Sequence, residues 1–255
     1  MEGTMSVCFG VPTVGSNKFS FQRLLATVLI ALLFVATEST FAQAAASKNL
    51  APGFSVLPKG SKVVMMPIDV ELFSLSAGGV AEPKADWTQA AHGHMTKAIS
   101  ASIKELGLDA TLMEEKDADE FAEQVGLHAA VARAISLHHA FGGGWALPTK
   151  EGKLDWSFDD AMKSIQTKSG AKYGLFVWVR DSYASAERKA AMVLLAIAGI
   201  GITGGIQVGY ASLVDLDTGK VVWFNQLARA SGDLREAAPA KESINALLTN
   251  FPKQQ

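Results

Sequence analysis

Tyr173-Gly-Leu-Phe-Val-Trp-Val179 decides the fold. Its side chains are apolar on both faces, so the stretch reads as a central strand of a sheet covered on both sides. Working outward, Ile206 to Leu216 and Val221 to Leu227 are two more strands joined through Asp217-Thr218-Gly219. Asp217 and Gly219 are the structural residues of a tight closing hairpin, with Gly219 in the left-handed turn position. A β-branched residue at 219 would cost about 1–2 kcal/mol on the turn alone.

Upstream, Lys62-Val-Val-Met-Met-Pro-Ile-Asp-Val-Glu-Leu-Phe73 begins as a strand buried on both faces. From Ile68 it alternates, with Ile68, Val70 and Leu72 against Asp69 and Glu71, and Pro67 marks a kink or an edge position. Trp87, Ala91, Met95, Ile99, Ile103 and Leu106 form one stripe of a helix ended by Gly107, capped by Asp86 with Gln89 three residues on. Ala110–Met113 is a short strand. A second helix runs from about Ala118 to Ala140, capped by Asp117 with Glu120. Ser157 with Asp160 opens a short third one, and Ala240–Asn250 is the last. The fold class is therefore α/β (α+β), a mixed sheet of about five strands flanked by helices with a closing β-hairpin. Residues 62–250 form one domain with an apolar, glycine-rich insertion over 190–206.

The first 44 residues read differently. Leu24–Ala36 is uncharged, Lys18 and Arg23 precede it, and Ala42-Gln43-Ala44 follows with small residues. A cationic flank, a short apolar core and a small-x-small exit make a secretory signal peptide, whether translation starts at Met1 or Met5. Cleavage after Ala44 and a flexible tether over 45–61, with Pro52, Gly53, Pro58 and Gly60, are expected, and with them export to the periplasm. The formal charge of −2 is unchanged by losing the signal, so no basic footprint exists for nucleic acid. The only cysteine is Cys8, so the mature chain has no thiolate chemistry, disulfide or lipidated cysteine.

Two stretches carry a resemblance. Gly60-Ser-Lys-Val-Val-Met-Met-Pro-Ile68 and Gly209-Tyr-Ala-Ser-Leu-Val-Asp-Leu-Asp-Thr-Gly-Lys-Val-Val-Trp-Phe224 resemble the opening strand and closing hairpin of a group of bacterial envelope proteins. The group comprises the curli-secretion channel subunit, the lipoprotein activators of penicillin-binding proteins, and the amino-terminal domain of the Tol-system propeller protein. The whole chain also resembles uncharacterised secreted Gram-negative proteins. The resemblance spans residues 60–250 in element order. It implies a mixed sheet flanked by helices and a non-enzymatic, partner-binding or assembly role in the envelope. The partner would be an envelope protein, a glycan, a membrane surface or further copies of the chain. Those relatives are usually anchored through a lipidated cysteine, and this chain departs from them there.

Chemistry-bearing patterns are sparse. His92 and His94 point about 200° apart on a helix. His128 and His139 share a face but stand about 16 Å apart, too far for one zinc ion. A metal site would need His128, His138 or His139 from different elements plus a carboxylate; with Asp181 it would make a metal-dependent hydrolase, the rival reading. Gly199-Ile-Gly201-Ile-Thr-Gly204 matches a dinucleotide fingerprint, but a strand-like Ile206-Gln-Val-Gly-Tyr210 follows where a helix is needed. No cofactor and no catalytic residue are expected. Arg180-Asp181-Ser182-Tyr183 ends the central strand, where Arg180 can pair with Asp181 and Glu187 with Arg188. Ala190–Gly209 contains no charge. Three readings compete for it: a buried helix with a glycine-rich loop, a membrane or oligomer contact through Met192, Leu194, Leu195, Ile197, Ile200 and Ile202, and a spanning helix. In the contact reading Val193 joins that surface, and Arg188 and Lys189 sit at headgroup level.

Overall fold

The protein is seen here as a computed structural model that describes residues 47–255; the signal segment and its cleavage site lie outside the described residues. In chain order the strands are β1 (Lys62–Met65), β2 (Asp69–Leu75), β3 (Ala81–Pro83), β4 (Asp109–Leu112), β5 (Tyr173–Ala184), β6 (Gln207–Asp215) and β7 (Val221–Arg229). The helices are α1 (Ala85–Glu105), α2 (Ala122–Ile135), α3 (Lys163–Ser169), α4 (Ala186–Ile197) and α5 (Ala237–Leu247), with single turns between them.

β5 is the spine. One edge pairs antiparallel with β6, and β6 in turn with β7. The other edge pairs parallel with β1 over 173–175 and with β2 over 178–184. β1 and β2 are thus one strand interrupted at Met66-Pro67-Ile68, with β4 parallel beside β1 and β3 antiparallel beside β2. Three residues of the interrupted strand face two of β5, which is a bulge, where a residue without an N–H is tolerated. The bulge also resets the alternation. Val63 and Met65 face one core and Val64 and Met66 the other, yet after Pro67 the even residues Ile68, Val70 and Leu72 return to the first.

Two helical layers cover the sheet. On one face lie α1, through Ala91, Met95, Ile99 and Ile103, and α5, through Ala240, Ile244 and Leu247. On the other lie α2, through Ala132 and Ile135, α3 through Ile165, and the turns carrying Phe121, Phe158 and Met162. The mixed sheet flanked by helices agrees with the sequence reading.

Several boundaries differ. α1 begins at Ala85 with Lys84 at its cap position and no side-chain cap, leaving Asp86 in the first turn, where its charge meets the positive helix end. The long second helix breaks into a helical turn over Glu115–Ala118, a 3-10 turn over Asp119–Phe121, α2, and a π-helical stretch over Ser136–Phe141. The tether is bound from residue 49 onward. Asn49 and Ala51 bond to β7 at Phe224 and Val222, and Leu57, fully buried, bonds to Lys253 and Gln255.

In the closing turn, Asp215 Oδ1 accepts the N–H groups of Asp217 and Thr218, both at 3.1 Å, while Asp217 itself is exposed. Gly219 has φ +68°, and its carbonyl accepts the Phe158 N–H at 2.8 Å. The turn therefore docks on residues 156–159, a contact that sequence spacing gives no sign of.

Candidate functional site

At the end of the sheet where β5 finishes, the chain enters α4 and returns through a glycine-rich segment to β6. Ser185 caps α4 by accepting the Arg188 N–H at 3.2 Å. Twelve residues at about 1.5 Å each give a helix of about 18 Å, short of a bilayer core of about 30 Å. Among the described residues no helix is long and apolar enough to cross a membrane.

Arg188 is buried on the inward face of α4. Its guanidinium donates to the Thr203 carbonyl at 3.0 Å and the Ser76 carbonyl at 3.3 Å, tying the returning segment and the β2–β3 turn to the helix. It neither pairs with Glu187 nor reaches outward to a headgroup level; only Lys189 is exposed there. Met192, Leu195 and Ile202 are half-buried. Val193, Leu194 and Ile197 point outward at 63%, 69% and 82% exposure, joined by Ile200 at 51% and Ile206 at 54%. A helix apolar on both sides is ordinarily buried; here the inward side is packed, and the described residues leave the outer face uncovered.

Beneath the segment is a cavity of about 330 Å³ lined by residues including Asp181, Tyr183, Lys189, Met192, Gly205 and Arg235. Gly205 closes the wall so tightly that a Cβ on it would lie 1.8 Å from the Ser182 carbonyl oxygen. Asp181 is 3% exposed. It accepts the Ser182 N–H at 2.8 Å, the Tyr183 hydroxyl at 2.6 Å and the Gln207 amide at 2.6 Å. Gln207 in turn accepts from Arg229 and Ser243, both at 2.9 Å. Burial pushes the Asp181 carboxyl above the ordinary carboxylate value, against the lowering pull of its hydrogen bonds. Arg235 is held by Asp233 and lies over Trp87 and Tyr183, at 4.5 and 4.4 Å from the ring centres. The end of β5 signals part of this in sequence, but Gln207 joins only through the β5–β6 register, Asp181 opposite Gln207.

Arg180 does not pair with Asp181. Successive strand residues point to opposite faces, and Arg180 turns to Asp69 at 2.7 Å and Glu71 at 3.3 Å. The histidines stay apart as well. His128 is buried, with Nε2 2.9 Å from Ser212 Oγ and its ring stacked 4.9 Å from Phe176; burial lowers its pKa to about 3. His138 and His139 bond the carbonyls of Trp145 and Lys48, each at 2.7 Å. His128 packs on the face bearing Phe176, whereas Asp181 points to the opposite one, so the sheet stands between the two groups of the hydrolase reading. Among the described residues no three His, Cys, Asp or Glu side chains gather as a metal site would need.

No protein-family model matches the chain, and no curated protein resembles it significantly. Solved structures of similar fold include the PelC dodecamer from Paraburkholderia phytofirmans, at TM-score 0.39 and 14% identity over 81% of this chain and 95% of that one. Lipoprotein GNA1162 from Neisseria meningitidis follows at 0.32 and 14%, over 75% and 97%. The LpoB C-terminal domain from Salmonella enterica follows at 0.26 and 14%, over 70% and 87%. Likenesses of this size carry no argument about what the chain does.

Proposed function

We propose that this protein is an exported, non-enzymatic accessory protein of the cell envelope that attaches non-covalently to a membrane surface through residues 190–206. The carrying observation is the outward row Val193, Leu194, Ile197, Ile200 and Ile206 on a stretch without charge from Ala190 to Gly209. Monomers rarely leave such a patch in water. Its exposed side chains are all aliphatic, whereas the cores of protein–protein interfaces favour aromatics, Met and Arg. The helix is too short to span and suits lying in the interface, with exposed Lys189 at its start.

Vesicles of phosphatidylcholine with phosphatidylglycerol, sedimented with the full chain, test this. Burying each of two aliphatic side chains contributes about 1.5–3 kcal/mol, so the double variant Leu194→Asp/Ile197→Asp is expected to fold normally and bind at least a hundredfold more weakly. Equal binding of both proteins sinks the proposal. A wild-type oligomer that ignores vesicles and is broken by the variant assigns the surface to copies of the chain instead. A variant that unfolds returns the segment to the domain's own core. Export is checked separately: N-terminal sequencing is expected to find Ala45 first, and a mature chain that still carries Leu24–Ala36 overturns cleavage.

A further inference from the structure

The cavity beneath α4 brings together two charged groups that form no ion pair among the described residues. Asp181, at its floor, is bonded only to the neutral donors Ser182 N–H, Tyr183 and Gln207. Lys189, exposed at its mouth, forms no ion pair among the described residues. The two line one cavity yet stand farther apart than an ion pair allows. The other charged residues lining it, Asp233 and Arg235, pair with each other, and their opposite charges both act on Asp181. The cavity thus carries no net formal charge but one charge of each sign outside any ion pair, between the aliphatic walls Met192 and Ile206. Its volume of about 330 Å³ lies at the lower end of the range for small-ligand sites, about 300–1,000 Å³.

We infer that this cavity binds a small zwitterion of the amino-acid or short-peptide class, its ammonium group at Asp181 and its carboxylate at Lys189. A buried carboxylate gains most from a ligand that supplies both opposite charge and a hydrogen-bond donor. An ammonium does so, and Asp181 Oδ1, which holds a single hydrogen bond, keeps acceptor capacity for it. A ligand bearing only a cation would leave Lys189 facing it unpaired, and one bearing only an anion would meet Asp181. Met192 gives the site a reporter, because its side chain lines the same wall as Gly204, with Cε 3.5 Å from where a Cβ on that glycine would lie.

The test is titration of the full chain, labelled at its methionine methyl groups, with glycylglycine, followed by NMR. N-acetylglycine, which lacks the ammonium, and glycinamide, which lacks the carboxylate, serve as controls. Glycylglycine is expected to shift the Met192 signal saturably, and each control to bind at least tenfold more weakly. Lys189→Met changes an exposed residue and keeps the fold; it is expected to bring glycylglycine down to the level of glycinamide. Asp181→Asn, if folded, is expected to bring it down to that of N-acetylglycine. Absence of saturation by glycylglycine at 10 mM, roughly the weak end of useful recognition, overturns the inference. So does a control that binds as tightly as glycylglycine, or a Lys189→Met protein that binds all three unchanged. Lys189 and Ile206 belong to both surfaces, so the titrations are run without vesicles. The zwitterion site is judged by glycylglycine against its two controls. The membrane attachment is judged by Leu194→Asp/Ile197→Asp, and neither of those residues lines the cavity.

Discussion

Gly219→Val is expected to destabilise the domain by roughly 3–5 kcal/mol, well beyond the cost of positive φ alone. The conformation, φ +68°, disfavours a β-branched residue on its own. The larger part comes from crowding: a Cβ at 219 would lie 2.1 Å from the Asp159 carbonyl oxygen and 2.6 Å from its nitrogen. Both are backbone atoms, and Asp159 is itself held at φ +48°, so the segment cannot swing aside as a flexible side chain would. The penalty begins at the first carbon, and Gly219→Ala should therefore cost nearly as much as valine. Urea unfolding of the full chain measures both. Asp217→Ala is the control, expected within about 0.5 kcal/mol of wild type, because surface side chains away from special features contribute little. An alanine variant that loses less than about 1 kcal/mol would show that the 156–159 segment yields.

Acid should weaken the fold through His128. Its folded pKa of about 3 lies below the ordinary 6.5, because burial disfavours the charged ring. Between these values the unfolded chain binds a proton that the folded chain refuses. The contribution of the neutral imidazole is therefore fully present above pH 6.5 and is lost progressively as pH falls toward 3. At about 1.4 kcal/mol per pH unit, the wild type should lose about 2 kcal/mol between pH 7 and pH 5 that a His128→Gln variant does not. Asp181 acts with opposite sign: its raised carboxyl pKa means that acid relieves the cost of burying the charge. That effect is common to both proteins and drops out of their difference. Parallel stability curves for the two across pH 7 to 5 would show that water reaches the ring.

Strong local patterns were legible in the sequence. The both-sided apolar run of β5 and the hairpin after it named the spine and its neighbours, and the phase change at Pro67 pointed to a kink before the pairing showed a bulge. Signals that depend on partners were not legible. β1 and β2 share an edge of β5, and β3, only three exposed residues long, has no apolar period of its own. α4 was ambiguous because its outward side is as apolar as its inward side, and only the folded structure separates Val193, Leu194 and Ile197 from Met192 and Leu195. Arg188 reads as a surface cation; its burial follows from two backbone carbonyls distant in sequence, at Ser76 and Thr203. The Asp181 network depends on register, which no spacing rule gives.

The joining of residue 57 to residues 253–255 also bears on how the chain acquires its fold. Leu57 and its backbone partners at Lys253 and Gln255 come from opposite ends of the described domain. Phe251, whose ring meets Trp223 at 4.9 Å, likewise follows all the strands in the sequence. Contacts of such long sequence separation are slow to form and cannot begin before both ends exist. Until residues 251–255 dock, the surfaces around Leu57 and Trp223 stay open, and that docking closes them as a latch.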